Sequence, residues 1–203
     1  MPVTALGLYL IFAVLGFGWR SWTQYRHTGS TGFRGIHGRP GSPQWLAGAG
    51  FLAAILAGAA APLLQLLGIV NPVTILQATW IQTTGIVLAG VGIAATLYAQ
   101  RDMGQSWRIG VDPNETTTLV RHGVFALVRN PIFAAMLIFA AGITLITPNP
   151  LALVAFLVLL VTIELQVRVV EEPYLNAVHG RAYRDYCGAV GRFVPHIGRS
   201  LTV

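Results

Sequence analysis

The sequence predicts an all-α fold, a polytopic membrane bundle of about five transmembrane helices followed by a helical cytoplasmic tail. Three observations predict it. Only 10% of the 203 residues are charged and 54% are hydrophobic, with a mean hydropathy of +0.64. Soluble domains carry roughly 25% charged residues, so the polar surface is too small to cover a water-soluble globule. The apolar residues gather into five runs, and the charges gather into alternate breaks between those runs.

The runs cover residues 3–19, 45–68, 75–99, 132–147 and 151–170. A spanning helix needs about 20 apolar residues at about 1.5 Å rise each. The second, third and fifth runs are long enough alone. The fourth is short and forms a tight hairpin with the fifth through Pro148-Asn149-Pro150. Each of these prolines sits where a helix ends or begins without losing a needed hydrogen bond. Small residues at four-residue spacing, Ala53/Ala57 and Gly85/Ala89, let helix backbones approach closely in lipid. Residues 28–42, rich in Gly, Ser and Pro, read as a mobile connection. The chain divides into an N-terminal part, 1–99, with helices one to three, and a part carrying the chemistry, 100–203.

The breaks set the orientation. Residues 69–74 and 148–150 contain no charge, whereas 20–44 carries Arg20, Arg26, Arg34 and Arg39 with no acid. Residues 100–131 carry Arg101, Arg108, Arg121 and Arg129, and the tail carries Arg181, Arg184, Arg192 and Arg199. Positive loops stay in the cytoplasm, which puts the N-terminus outside and the tail inside. No basic segment precedes the first run and no clean small-residue cleavage site follows it, so a removable signal peptide is not expected. The net charge of +6 is thus a topology signal, and nucleic acid is not an expected partner. All 13 basic residues are Arg, a compositional bias since Ala, Gly and Val run high with it, although Arg also suits fixed polar sites better than Lys. The single Cys187 can form no intrachain disulfide and fits no metal spacing.

Two places invite chemistry. The first is the stretch 119–133, which runs into the fourth apolar segment through Asn130-Pro131. Proline is tolerated in a first helical turn and holds the residue before it extended. Free N–H groups at such a helix start favour a carboxylate or phosphate, while a plain interfacial loop with Arg anchors explains the same spacing. The second is the end of the fifth run, where Glu164, Arg168, Glu171, Glu172 and Leu175 follow i, i+4, i+7, i+8, i+11 spacing and share a helical face. An ionisable residue as deep as Glu164 is costly and usually faces a partner or a polar cavity. A Glu164–Arg168 pair that only neutralises itself is the plain alternative.

Together these segments resemble the isoprenylcysteine carboxyl methyltransferase and phospholipid methyltransferase superfamily. The resemblance rests on Gly123, Phe125, Arg129, Asn130, Pro131 and Phe133, then a transmembrane hairpin. It continues with Glu171, Glu172, Leu175, Gly180, Tyr183, Tyr186, Arg192 and Pro195. It covers roughly the C-terminal 90 residues, in order and flanking the right hairpin. Asn130 stands where the isoprenylcysteine branch commonly has His, and Phe125 and Phe133 stand for Tyr. Val167 stands where that branch has a substrate-contacting basic residue, with Arg168 one position later.

The resemblance implies an integral membrane methyltransferase using S-adenosylmethionine, with a lipophilic small-molecule or lipid acceptor and membrane lipids as surroundings. It implies cofactor contacts at Thr117, Thr118, Leu119, Val120, Phe125, Asn130, Pro131, Ile132, Phe133 and Glu171. Apolar and aromatic members suit adenine, the N–H groups near Pro131 suit a carboxylate, and Glu171 suits an ammonium or ribose hydroxyls. Glu164 and Glu172 are the candidate proton acceptors for an amine or thiol acceptor, with Arg168 positioning it. No glycine-rich dinucleotide fingerprint follows a strand anywhere in the chain. Two other readings stand beside this one. A membrane reductase resembling the sterol reductases would use NADPH, and a non-catalytic membrane binding protein would use neither cofactor.

Overall fold

Among the described residues, proline opens four of the six helices, at or next to the first helical position, where its missing N–H costs nothing and its fixed φ is already helical. The computed structural model describes residues 1–32, 35–36, 38–107 and 118–199. In chain order the helices are α1 (Pro2–Thr28), α2 (Pro43–Leu66), α3 (Thr79–Met103), α4 (Pro131–Ile146), α5 (Pro150–His179) and α6 (Arg181–Ala189). The described residues contain no strand, only isolated bridges such as Val128 with Gly191. Two helices are wound locally as π-helix, α1 over Ala13–Trp19 and α5 over Gln166–Glu171.

Helices α1, α2, α3 and α5 are long and apolar enough to cross a membrane, and α4 is a shorter apolar helix. The five expected apolar segments are all helical. At 16 residues α4 reaches only about 24 Å. Its hairpin with α5 is tied across the bundle by Asn149, which is fully buried. The Asn149 side chain accepts from Ala152 N–H at 2.9 Å and donates to Ala61 O at 3.1 Å and Gln65 Oε1 at 2.9 Å. The first helix outruns its apolar stretch by nine residues, because Arg20–Thr28 stays helical until Gly29, at φ 72°, closes it in the left-handed conformation.

Backbone contact is closest between α3 and α4. A Cβ on Gly92 would lie 2.5 Å from the Phe139 nitrogen, and one on Gly85 would lie 2.7 Å from Gly142 O. Ala89 is wholly buried in the same seam. In α2 the expected pair Ala53/Ala57 is displaced: Ala53 is exposed, and Ala47, Ala54 and Ala61 are the buried small residues. Residues one apart differ by about 100° around a helix, so a seven-residue stripe faces the bundle and its neighbour does not.

Past the bundle, α5 continues to His179, and Gly180 at φ 53° turns the chain into α6. The tail then folds back on the stretch before α4. Arg129 N–H donates to Gly191 O at 2.8 Å and Asn130 N–H to Arg192 O at 3.0 Å. Tyr183, Tyr186 and Cys187 form a small buried core, packed with Leu119, Leu175 and Val190.

Candidate functional site

At the charged end of the bundle lies a cavity of about 230 Å³, walled by α1 to α5, the stretch before α4 and the tail. Thr118, Leu119, Val120, Phe125, Asn130, Pro131, Ile132, Phe133 and Glu171 all line it. Thr117 lies outside the described residues. One cavity therefore gathers nine of the ten expected cofactor positions, from two chain segments about 40 residues apart.

Local contacts hold the 118–133 stretch in place. Asp102, at the end of α3, accepts from Val124 N–H at 2.9 Å. Gly123 beside it has φ 57°, and a Cβ there would lie 2.0 Å from Asp102 Oδ2, so only glycine fits that approach. Tyr186 donates its hydroxyl to Phe125 O. Burial pushes the Tyr186 phenol up to about 12, so it stays a neutral donor. Asn130 precedes α4 without capping it, and its Nδ2 donates to Arg192 O at 3.1 Å. The first turn of α4 is left uncapped, and its residues Ile132 and Phe133 line the cavity. An uncapped start of this kind attracts negative charge.

Glu171 reaches the cavity because of the π-helical wind. In an unbroken α-helix Glu171 would share a face with Glu164, seven residues earlier. The π segment adds a residue to the turn and brings Glu171 into phase with Thr162 and Gln166, which line the same wall. Gln166 Nε2 donates to Glu171 Oε1 at 3.0 Å across five residues, the spacing of a π turn.

The same wind splits the expected acidic stripe. Glu164 and Arg168 pair with each other and neither lines the cavity. Their side chains are 35% and 55% exposed. Glu172 turns toward the tail. It accepts from Arg129 at 2.9 Å and from Arg192 at 2.7 and 2.9 Å. Arg129 is buried and also donates to Cys187 O at 3.0 Å, Val190 O at 3.2 Å and Gly198 O at 3.2 Å. The Glu172 carboxylate holds the Arg192 guanidinium above its ordinary range. Glu172 is thus the centre of a clamp closing the tail over the cavity, and Glu171 faces the cavity itself.

The cavity also contains residues that sequence reasoning did not single out. Thr96 and Gln100, one turn apart on α3, are buried in its wall. Trp107 and Phe17 also line it. The signal for Gln100 was its place at the end of an apolar run, which reads equally well as a boundary. A second cavity, of about 200 Å³, lies deeper between α1, α2, α4 and α5. Phe17 and Met136 line both cavities.

Residues 80–182 match the family model described as phospholipid methyltransferase. The chain is similar to protein-S-isoprenylcysteine O-methyltransferase A of Arabidopsis thaliana, with 31% identity over 123 residues, 60% of this chain and 62% of that protein. A probable protein-S-isoprenylcysteine O-methyltransferase of Oryza sativa subsp. indica is 30% identical over 120 residues, 58% of this chain and 63% of its own length. The B form from Arabidopsis thaliana is 28% identical over 123 residues, 60% of this chain and 62% of its own. The chain thus spans less than two thirds of the curated relatives it matches.

Proposed function

The chain belongs to the phospholipid methyltransferase family, and from that premise we propose that it is an integral membrane enzyme transferring a methyl group from S-adenosylmethionine to a lipophilic or small membrane-partitioned acceptor. The single cavity that gathers Thr118–Val120, Phe125, Asn130–Phe133 and Glu171 carries this reading.

The lining suits the cofactor. Leu119, Val120, Phe125, Ile132 and Phe133 offer an apolar wall for a purine, Glu171 a carboxylate for an ammonium or ribose, and the uncapped start of α4 a place for a carboxylate. When bound, S-adenosylmethionine supplies a sulfonium methyl that an acceptor's lone pair takes while the C–S electron pair stays on sulfur. The chain's part is to hold both reactants in line and keep water out. The Arg129–Glu172–Arg192 clamp keeps the tail closed for that purpose. In this reading Glu172 positions the tail, the Glu164–Arg168 pair is a self-neutralising one, and Glu171 touches the cofactor. The names of the relatives point to isoprenylcysteine. Here Val167 is buried among Ala54, Leu159 and Ile163 and Arg168 faces away from the cavity, which favours a different acceptor. The arginine-rich breaks favour a cytoplasmic tail and cavity with the N-terminus outside.

The test is titration of the purified protein with S-adenosylmethionine and, separately, with NADPH. Saturable binding of the first alone is expected. Glu171→Gln should raise its dissociation constant roughly 10- to 150-fold, the equivalent of about 1.5–3 kcal/mol for a charged hydrogen bond, with the protein still monodisperse. NADPH binding without S-adenosylmethionine binding would favour the reductase reading instead.

A further inference from the structure

Three buried polar atoms of residues lining the larger cavity have no partner among the described residues: Arg129 Nε, on the tail side, and Thr96 Oγ1 and Gln100 Oε1, together on α3. Thr96 and Gln100 are almost fully buried and both line the cavity. Four residues apart on α3, they lie on one face, with Cβ atoms about 5–6 Å apart. The Gln100 amide has a fixed direction. Its Nε2 donates to Gly16 O at 2.8 Å, in the π-helical part of α1. Turned over, the amide would set its oxygen against that carbonyl, so the oxygen stays on the other side. A buried oxygen left unsatisfied destabilises the fold, and a ligand that donates to it recovers that cost. An amide oxygen accepts and cannot donate, so it repels a carboxylate and welcomes an N–H or O–H.

The neighbourhood says which ligand this is. The polar features suited to the cofactor are Glu171 and the start of α4. Thr96 and Gln100 line the same cavity, but Gln100 is tied to Gly16 O, beside Phe17, and Phe17 and Met136 also line the deeper cavity. That deeper space is apolar: Phe12, Ala54, Ile55, Phe139, Ile143 and Leu159 line it. Its two hydroxyl-bearing residues are already served within the protein, Tyr9 donating to Ile55 O at 2.8 Å and Thr144 to Ala140 O at 2.9 Å. An apolar cavity of about 150 Å³ holds a benzene molecule, so about 200 Å³ holds a chain of roughly eight carbons.

We propose that Thr96 and Gln100 form the head-group subsite for the methyl acceptor, an amine or hydroxyl carrying a short apolar chain that lies beyond Phe17 and Met136. The acceptor's lone pair bonds the methyl while the C–S pair stays on sulfur, and its proton passes to the Glu171 carboxylate in the same cavity. The inference rests on the methyltransferase reading and narrows its acceptor. The Gln100 oxygen disfavours a carboxylate head at this subsite, and the deeper cavity disfavours a chain much longer than itself.

The test uses the full-length protein in detergent with octylamine, 1-octanol, octanoate and hexadecylamine as probes. Thermal stabilisation is read first, then methyl transfer from labelled S-adenosylmethionine. Octylamine or octanol should stabilise the protein in a saturable way, at least ten times more tightly than octanoate or hexadecylamine. Thr96→Val removes only the unpartnered hydroxyl. It should leave the unfolding temperature equal or higher and cofactor affinity within twofold, while weakening the octyl probe about tenfold. Ala155→Leu, which fills the deeper cavity, should shift the preference to a butyl chain. Equal or tighter octanoate binding, unchanged probe affinity in Thr96→Val, or unchanged length preference in Ala155→Leu would each overturn the subsite. Titration with S-adenosylmethionine in parallel keeps that outcome separate from failure of the methyltransferase reading.

Discussion

Replacing Glu172 by Gln separates a structural role from a chemical one, and the structure sets the size of the effect. Glu172 is 19% exposed in its side chain and meets two guanidinium groups, one of them on the buried Arg129. Removing one partner of a buried pair costs about 3–5 kcal/mol, because the other charge is left without compensation. Arg129 keeps its three carbonyl partners at Cys187, Val190 and Gly198, so the lower end, about 3 kcal/mol, is the appropriate figure. The cost falls on the tail, since Arg192 and the segment around Gly191 are what the clamp holds. The chain provides its own reporter: Cys187 is the single cysteine and is buried in the tail core. If labelling of Cys187 by a thiol reagent requires the tail to open, a loss of about 3 kcal/mol raises its rate roughly 150-fold. Measurement of that rate in wild type and Glu172→Gln checks the figure. An unchanged labelling rate together with lost methyl transfer would refute the clamp and return Glu172 to the chemistry.

Arg168→Ala should leave cofactor affinity and turnover near wild type, because its partner Glu164 and it stand off the cavity; the cost should appear in thermal stability and be recovered by the double change Glu164→Gln with Arg168→Ala. Lost turnover at unchanged stability would place Arg168 at the acceptor. Alkaline pH should loosen the tail: burial raises the Tyr186 phenol from 10 to about 12 and moves Tyr183 in the same direction. A folded-state value above the unfolded one means the stabilisation is complete below about pH 10 and is lost as pH rises through about 12. The chain has no lysine to titrate in that window, so a thermal midpoint that stays flat from pH 10 to 12 would contradict the burial of these phenols. A topology reporter fused after Val203 should read cytoplasmic and one inserted in the Pro148–Pro150 turn external; the reverse pattern would invert the bundle.

The helices were legible in the sequence because length and hydropathy decide them: five apolar runs gave five apolar helices. Helix faces were legible only where the wind stays regular. Gly85 and Ala89 met α4 as spacing predicts, since α3 is α-helical throughout. In α5 the same reasoning put Glu164, Arg168, Glu171 and Glu172 on one stripe, and the π segment separated them. Nothing in Gln166–Glu171 announces such a turn, for it contains neither Pro nor Gly. The cofactor stretch was legible because its motif is local and contiguous. Thr96 and Gln100 were not, because a lone hydroxyl and a lone amide near the end of an apolar helix carry no pattern. Their burial in the cavity wall without partners among the described residues is what marks them.

The two adjacent acids show why a π turn belongs at this point. A single α register gives consecutive residues directions about 100° apart, and it would set Glu171 on the Glu164 side, away from the cavity. A strand would give opposite directions but cannot remain inside a spanning helix without losing its backbone hydrogen bonds. One added residue solves both requirements, since the helix keeps its internal bonds while Glu171 rotates onto the Thr162–Gln166 wall. Glu172 then falls toward the returning tail, within reach of Arg129 and Arg192. The turn that aims one carboxylate into the cavity therefore also aims the next at the clamp that covers it. Deleting a single residue between Glu164 and Glu171 would restore the α register and undo both at once. The ligand site and the closed tail are products of the same backbone irregularity.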